Sequence, residues 1–244
     1  MEEGGMVSVV IPAYNEEQAL PYTLDLLSRQ EGVFEAIVVD GGSHDRTRAI
    51  AKSFRFSDEA QDEVCVPDPS RRLLTAPKGR ATQMNAGAKA ANGEWLLFLH
   101  ADTILPQGAI RRLNEMQPDQ TIQAGGFLHQ FSGTDWRLGL ISFLNNFRCR
   151  RSRIIYGDQA LFVRRTLFEQ IGGFPEQPFL EDVAFCERLI KVTTPLLLSP
   201  PVITDARKFV KMGIWHSFAR VLLIILHVEF HLPILPLKFF QDIR

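Results

Sequence analysis

The stretch Trp95-Leu96-Leu97-Phe98-Leu99-His100-Ala101-Asp102-Thr103 decides how the rest of the chain is read. Its apolar run stops abruptly at a histidine, an alanine and a carboxylate. A continuous apolar run of this length marks a strand buried on both faces, as in a parallel sheet covered by helices. Ligands of open α/β sheets bind at the carboxyl ends of such strands, so the polar end is where chemistry is expected. Asp102 is the residue expected to hold a metal ion, with the other functional groups converging on it.

Two stretches upstream repeat the design. The β-branched run 7–11 leads through Pro12, Ala13, Tyr14, Asn15 and Glu16 into a pattern that puts Leu20, Leu24 and Leu27 on one helix face. The run 35–40 leads through a Gly41-Gly42-Ser43-His44 turn into a second helix, with Asp45 placed to cap it. Successive strand-to-helix units imply parallel strands and right-handed crossovers. The expected fold is α/β: a single doubly wound, mostly parallel sheet with flanking helices.

Downstream, the patterns predict a strand at 73–75, an alanine-rich helix over 80–91 stopped by Asn92 and Gly93, and a helix ending at Met116. They predict a strand over 123–131, then a helix over 136–147 with Leu138, Ile141, Leu144 and Phe147 inward. A strand over 154–164 is interrupted at Gly157. Helices follow at 167–171 and 181–190, and strands at 196–198 and 202–204. The charged segment 54–72 reads as an irregular excursion or partly mobile insertion.

A chain of 244 residues, 45% hydrophobic and 23% charged, is enough for one sizeable domain with a real core and is not a disordered composition. A net charge of −1 supplies no global attraction for nucleic acid, and none is expected as a partner. Between 137 and 165 seven arginines face one acid, Asp158, which is either a solvated basic face or a site for an anionic partner. Cys65, Cys149 and Cys186 lack metal-ligand spacing, and no signal peptide is legible, so a cytoplasmic setting is expected. The apolar stretch 214–240 is broken by Arg220, His227, Glu229, His231, Pro233 and Pro236, short of the ~20 residues a span needs. It reads as a docking helix, for peripheral contact with the inner face of a membrane or for a homodimer. The expected division is a catalytic domain over 1–210 and an apolar helical extension over 211–244.

Asp40 ends the second strand, Asp102 the fourth, and Asn15 and Glu16 follow the first, so all would line one sheet edge. The segments 7–16, 38–47 and 97–102 closely resemble the ordered motifs of family 2 glycosyltransferases, which have the glycosyltransferase-A fold. Segments 79–87, 156–159, 172–174 and 180–182 extend the match, which covers residues 6–210. The combination looks most like a small bacterial subgroup, the radical-SAM/selenodomain-associated or arsenosugar-biosynthesis glycosyltransferases.

The resemblance implies an inverting transfer of sugar from a nucleotide-diphosphate sugar to an acceptor hydroxyl, assisted by Mn²⁺ or Mg²⁺. Pro12, Ala13, Tyr14, Glu16, Asp40 and Gly42 would hold the base and ribose. Arg80 would contact the diphosphate, and Asn85, His100, Ala101 and Asp102 belong to the same nucleotide-sugar site. Asp102 matches the second acid of the family's Asp-x-Asp metal motif, whose cation would neutralise charge growing on the diphosphate. Asp182 matches the general base, with Glu181 the second candidate. Tyr156, Asp158 and Gln159 fall on the acceptor side, where Arg151 or Arg153 would meet an anionic acceptor. One position departs from the pattern: His100 stands where the first acid is expected, and an imidazole ligates or donates but brings no negative charge. Asp205 and His216 are further ligand candidates without a motif.

The acceptor is expected to be a small molecule or a lipid. Rival readings are a polyprenyl-phosphate glycosyltransferase at a membrane surface, a nucleotidyltransferase, and an inactive nucleotide-sugar binding module. The absence of a Gly-rich loop after the first strand speaks against the nucleotidyltransferase.

Overall fold

The computed structural model describes residues 5–54, 71–177 and 179–229. Nearly all of the segment 54–72, Cys65 and the chain from 230 onward lie outside the described residues.

The first half is a series of strand-to-helix units. β1 (Val7–Ala13) leads to α1 (Leu20–Ser28), β2 (Phe34–Asp40) to α2 (Thr47–Ser53), β3 (Arg71–Thr75) to α3 (Arg80–Ala90), and β4 (Trp95–Phe98) through short β5 (Thr103–Ile104) to α4 (Ala109–Met116). The second half contains β6 (Ala124–Phe131), α5 (Trp136–Ser152), a 3₁₀ turn (Gly157–Gln159), β7 (Phe162–Arg164) and α6 (Arg165–Ile171). It continues with α7 (Glu181–Leu189), β8 (Leu196–Thr204), α8 (Arg207–Met212) and α9 (Ile214–Glu229).

The strands form one sheet in the order β3-β2-β1-β4-β7-β6-β8-β5. β3, β2, β1 and β4 run parallel, as do β6 and β8, while β7 is antiparallel to both of its neighbours. The expected mostly parallel α/β sheet is therefore present, with β7 joining its two parallel parts.

The continuous apolar runs follow from burial on both faces. On one face Val7, Val9 and Ile11 pack with Leu20, Leu24 and Leu27 of α1. On the other, Val10, Ile37 and Val39 lie under Ala81, Met84 and Ala88 of α3. Alanines keep α3 close to the sheet, and a Cβ on Gly87 would lie 2.3 Å from Val10 Cγ1. A third cluster joins Phe131, Leu138, Ile141, Ala206 and Ile214 with Phe209 and Phe218, tying α5, α8 and α9 together. Position 210 lies inside α8. Among the described residues no helix is long and apolar enough to cross a membrane.

Several local expectations change. The opening stretch is a strand only to Phe98; β7 pairs with it from Trp95 to Leu97, and the chain then turns. The Thr103 N–H donates to the His100 carbonyl at 3.0 Å, closing that turn into β5, which pairs with β8. The strand expected over 154–164 is reduced to β7. The two strands expected at 196–198 and 202–204 are one, β8, with a register irregularity opposite Phe127 and His129.

Helix α5 buries Leu138 and Ile141 as expected, but continues that face with Asn145, Arg148 and Cys149 and exposes Leu144 and Phe147. Of the other polar groups on this inner face, Ser142 accepts the Phe131 N–H at 3.1 Å.

The arginine excess is largely used inside the fold. Arg164 is buried and donates to the carbonyls of Gln117, Asp119 and Ile122. Arg137 pairs with Asp135, Arg148 lies 3.7 Å over the Tyr156 ring, and Arg153 donates to the Pro195 carbonyl at 3.3 Å.

Candidate active site

The carboxyl ends of β1 and β4 open onto a cleft of about 220 Å³. Its walls are Pro12, Ala13, Tyr14 and Glu16 on one side, residues 78–80 and Gln83 on another, and the His100–Ala101–Asp102 turn at its end. Gln83 is buried and donates from Nε2 to the carbonyls of Ala13 (2.8 Å) and Val39 (2.7 Å), so α3 fastens the ends of β1 and β2 together. Lys78 Nζ sits 3.9 Å over the Tyr14 ring, a cation–π contact that places positive charge in the cleft.

A second cavity of about 250 Å³ lies on the other side of the same turn, and Arg80, His100 and Asp102 line both. Its opposite wall carries Asp182, Tyr156, Gly157, Asp158 and His129. The Asp182 carboxylate is fixed from both ends: Oδ2 accepts the Gly157 N–H at 2.6 Å and Oδ1 the Val183 N–H at 2.8 Å. Gly157 must be small here, because a Cβ would lie 2.6 Å from the His100 ring. Leu180, just before α7, has φ of 57°, a left-handed conformation unfavourable for a branched residue.

An aromatic cluster sets the distance between the two walls. Phe98 at the end of β4 meets Phe174 edge-on at 4.8 Å, and Phe174 meets Phe185 of α7 at 4.8 Å. Phe168 of α6 packs against all three. The strand bearing His100 and Asp102 is thereby braced against the helix bearing Asp182.

The other candidate residues divide by environment. Arg80 lies at the junction, its Nε 3.6 Å from Glu181 Oε1. Glu181, the second base candidate, is 1% exposed and lines neither cavity. Asp40 is fully buried and accepts N–H bonds from Gly42 and Ser43, with Arg48 at 3.7 Å; it shapes its own turn, outside the cleft lining. Gly42, at φ of 85°, supplies the left-handed backbone of that turn. Asn85 does not line the strand-end cleft: Nδ2 donates to the Phe174 carbonyl at 2.8 Å and Oδ1 accepts the Phe174 N–H at 3.0 Å. Gln159 is fully buried, donating to the Phe127 carbonyl and accepting from the Tyr156 N–H, and it lines neither cavity. Asp45 accepts from Thr47 and Glu17 N–H; desolvation raises its pKa, but the Thr47 hydroxyl and these N–H groups prevail and lower it.

Lys78 and His129 lie outside the motifs, and Gln83 falls within the 79–87 segment without a role legible there. The turn at 77–79 reads only as a helix start, and His129, between Leu128 and Gln130 in a strand, carries no motif. Among the described residues no three His, Cys, Asp or Glu side chains cluster as a metal cage. His100 and Asp102 stand on the turn that lines both cavities. The Asp205 N–H donates to the Asp102 carbonyl at 3.1 Å, its carboxylate pairs with Arg207, and His216 is exposed on α9.

A family model described as Glycosyl transferase family 2 matches residues 8–174. The chain belongs to this family. Among curated relatives, a PGL/p-HBAD biosynthesis glycosyltransferase of Mycobacterium bovis is 33% identical over 178 residues, covering 69% of this chain and 63% of that protein. Glycosyltransferase AglE of Haloferax volcanii is 27% identical over 179 residues, covering 69% of this chain and 56% of its own. The family 2 chain thus spans less than two thirds of the length of these relatives.

Solved structures share its fold. The mannosyltransferase PcManGT from Pyrobaculum calidifontis, in complex with GDP-Man and Mn²⁺, superposes with a TM-score of 0.62 at 22% identity, covering 98% of this chain and 68% of that one. S. aureus TarS 1-349 with UDP-GlcNAc gives 0.61 at 17% identity, covering 98% and 70%. Both support the glycosyltransferase-A architecture expected from the motifs.

Proposed function

We propose that this family 2 chain transfers a sugar from a nucleotide-diphosphate sugar to an acceptor hydroxyl with inversion at the anomeric carbon. The observation that carries the reading is the His100–Asp102 turn as a shared wall: a strand-end cleft on one side, a cavity holding Asp182 on the other. In this reading the donor occupies the first cleft, with its base and ribose against residues 12–16 and its diphosphate within reach of Arg80 and Lys78. The Arg80 guanidinium, steadied by Glu181, presents a planar donor fork to phosphate oxygens. Asp182 takes the proton of the acceptor hydroxyl as that oxygen attacks the anomeric carbon. The bond from that carbon to the diphosphate oxygen breaks on the opposite face, so the configuration inverts.

Asp102, with His100 beside it, would hold a divalent cation that offsets the charge developing on the leaving diphosphate. Nucleotide sugars in the solved structures, GDP-Man with Mn²⁺ and UDP-GlcNAc, support the donor class. The radical-SAM/selenodomain or arsenosugar subgroup rests on the motif combination alone. Peripheral membrane contact, or a homodimer, is supported by the exposed aromatics Trp136, Phe143 and Phe147 of α5 and Trp215 of α9.

The test is a melting-temperature screen of UDP- and GDP-sugars with and without Mn²⁺, on wild type and Asp102→Ala. A ligand at 100 times its Kd adds about 2.7 kcal/mol, a rise of about 5–10 °C for a domain of this size. Asp102→Ala is expected to lose the Mn²⁺-dependent part. An unchanged metal-dependent rise in that variant would remove the metal station, and no rise with any nucleotide sugar would remove the donor reading.

A further inference from the structure

Besides its polar groups, which include Asn145 and Thr204, the second cavity is lined by six apolar side chains: Phe131, Ile141, Leu180, Phe209, Val221 and Ile224. They come from β6, the loop before α7, and helices α5, α8 and α9. A uniformly hydroxylated acceptor pressed against this wall would lose water from its hydroxyls without gaining partners for them.

The polar end carries a second clue. His129 is 1% exposed, and among the described residues neither of its ring nitrogens has a hydrogen-bond partner; Nε2 faces Asp158 Oδ2 at 3.5 Å. The Asp158 Oδ1 atom is likewise buried without a partner among the described residues. Buried polar atoms in native proteins are nearly always satisfied, so two such groups side by side on a cavity wall call for a ligand. The irregularity of β6 at Phe127 and His129 lies at this point, and such bulges commonly re-aim side chains beside active sites.

We propose that the cavity takes an amphipathic acceptor: a hydroxylated head set between Asp182 and the His129–Asp158 pair, and an alkyl or aryl body against the apolar wall. The proposal rests on the transferase reading for the role of Asp182, but the cavity chemistry is independent of it. His129 is then a specificity-determining residue, holding a polar atom of the head other than the attacking hydroxyl.

The test measures binding of n-octyl β-D-glucopyranoside, below its micellar concentration, against methyl β-D-glucopyranoside, by calorimetry on the full chain. Each buried methylene adds ~4-fold, so three of them give the octyl compound roughly 50- to 100-fold tighter binding. Ile224→Ser is expected to erode that preference while leaving the nucleotide-sugar melting shift intact. His129→Phe is expected to weaken both glucosides alike, about 2- to 10-fold, by removing one hydrogen bond. Saturation-transfer NMR adds a readout independent of variant folding, with alkyl protons expected to receive magnetisation from wild type.

Octyl affinity no greater than methyl, including no binding of either, overturns the proposal. A preference that survives when no nucleotide sugar shifts the melting temperature would instead overturn the transferase reading and leave this one standing. The same glucoside carried on diacylglycerol in neutral phosphatidylcholine vesicles separates the sources. Stronger capture from vesicles identifies a lipid; stronger capture of the monomer identifies a free apolar acceptor.

Discussion

Replacing Asp182 by asparagine keeps the size of the side chain and changes two things that the structure makes separable. Each carboxylate oxygen accepts one backbone N–H, from Gly157 at 2.6 Å and Val183 at 2.8 Å. An amide has only one oxygen, so one of these N–H groups would face an NH₂ group and lose its acceptor. Leaving such a group unsatisfied costs about 1–3 kcal/mol. For a domain of this size that is a fall of about 2–12 °C in melting temperature. The amide also cannot take a proton from an acceptor hydroxyl, and loss of a general base lowers turnover by ~10²- to 10⁴-fold. Donor affinity is expected to persist, because Asp182 does not line the strand-end cleft. The assay pairs melting curves and calorimetry with single-turnover transfer of a nucleotide sugar found by screening. Turnover within tenfold of wild type would refute the role of Asp182; normal stability would refute the two-acceptor geometry.

Further outcomes test the supports around the site. Asn85→Ala removes both bonds that clasp the Phe174 backbone and should cost about 1–3 kcal/mol while sparing donor affinity; an unchanged denaturant midpoint would contradict the clasp. Burial pushes the Cys149 and Cys186 thiols up, so both should alkylate slowly at pH 8 in the folded protein and quickly in urea. Peptide mapping that finds either one readily labelled in the native state would contradict its placement.

The ordered strand-to-helix units were readable because parallel strands under two helix layers need unbroken apolar runs, and the residues of β1, β2 and β4 supply them. Asp102 and His100 could be singled out because they sit where a pattern changes, at a strand end, whereas Asp182 is legible only through the resemblance to family 2 motifs. Asn85 and Gln159 share motifs with those residues, yet they satisfy buried backbone groups of Phe174, Phe127 and Tyr156. A motif fixes residue types along the chain and does not say which way each one faces.

His129, Lys78 and the polar inner face of α5 went unread for the converse reason. Their meaning depends on contacts between segments far apart in sequence: Lys78 over Tyr14, His129 beside Asp158, Arg148 over Tyr156. The sequence by itself determined the α/β architecture and the family, because local periodicity and short motifs encode strands, helices and strand-end chemistry. Only the tertiary structure decided that the run ending in Asp102 is a short strand followed by a turn. That turn is a wall with a cavity on each side, because β7 and β8, arriving from elsewhere in the chain, set where β4 stops pairing and where the turn must go.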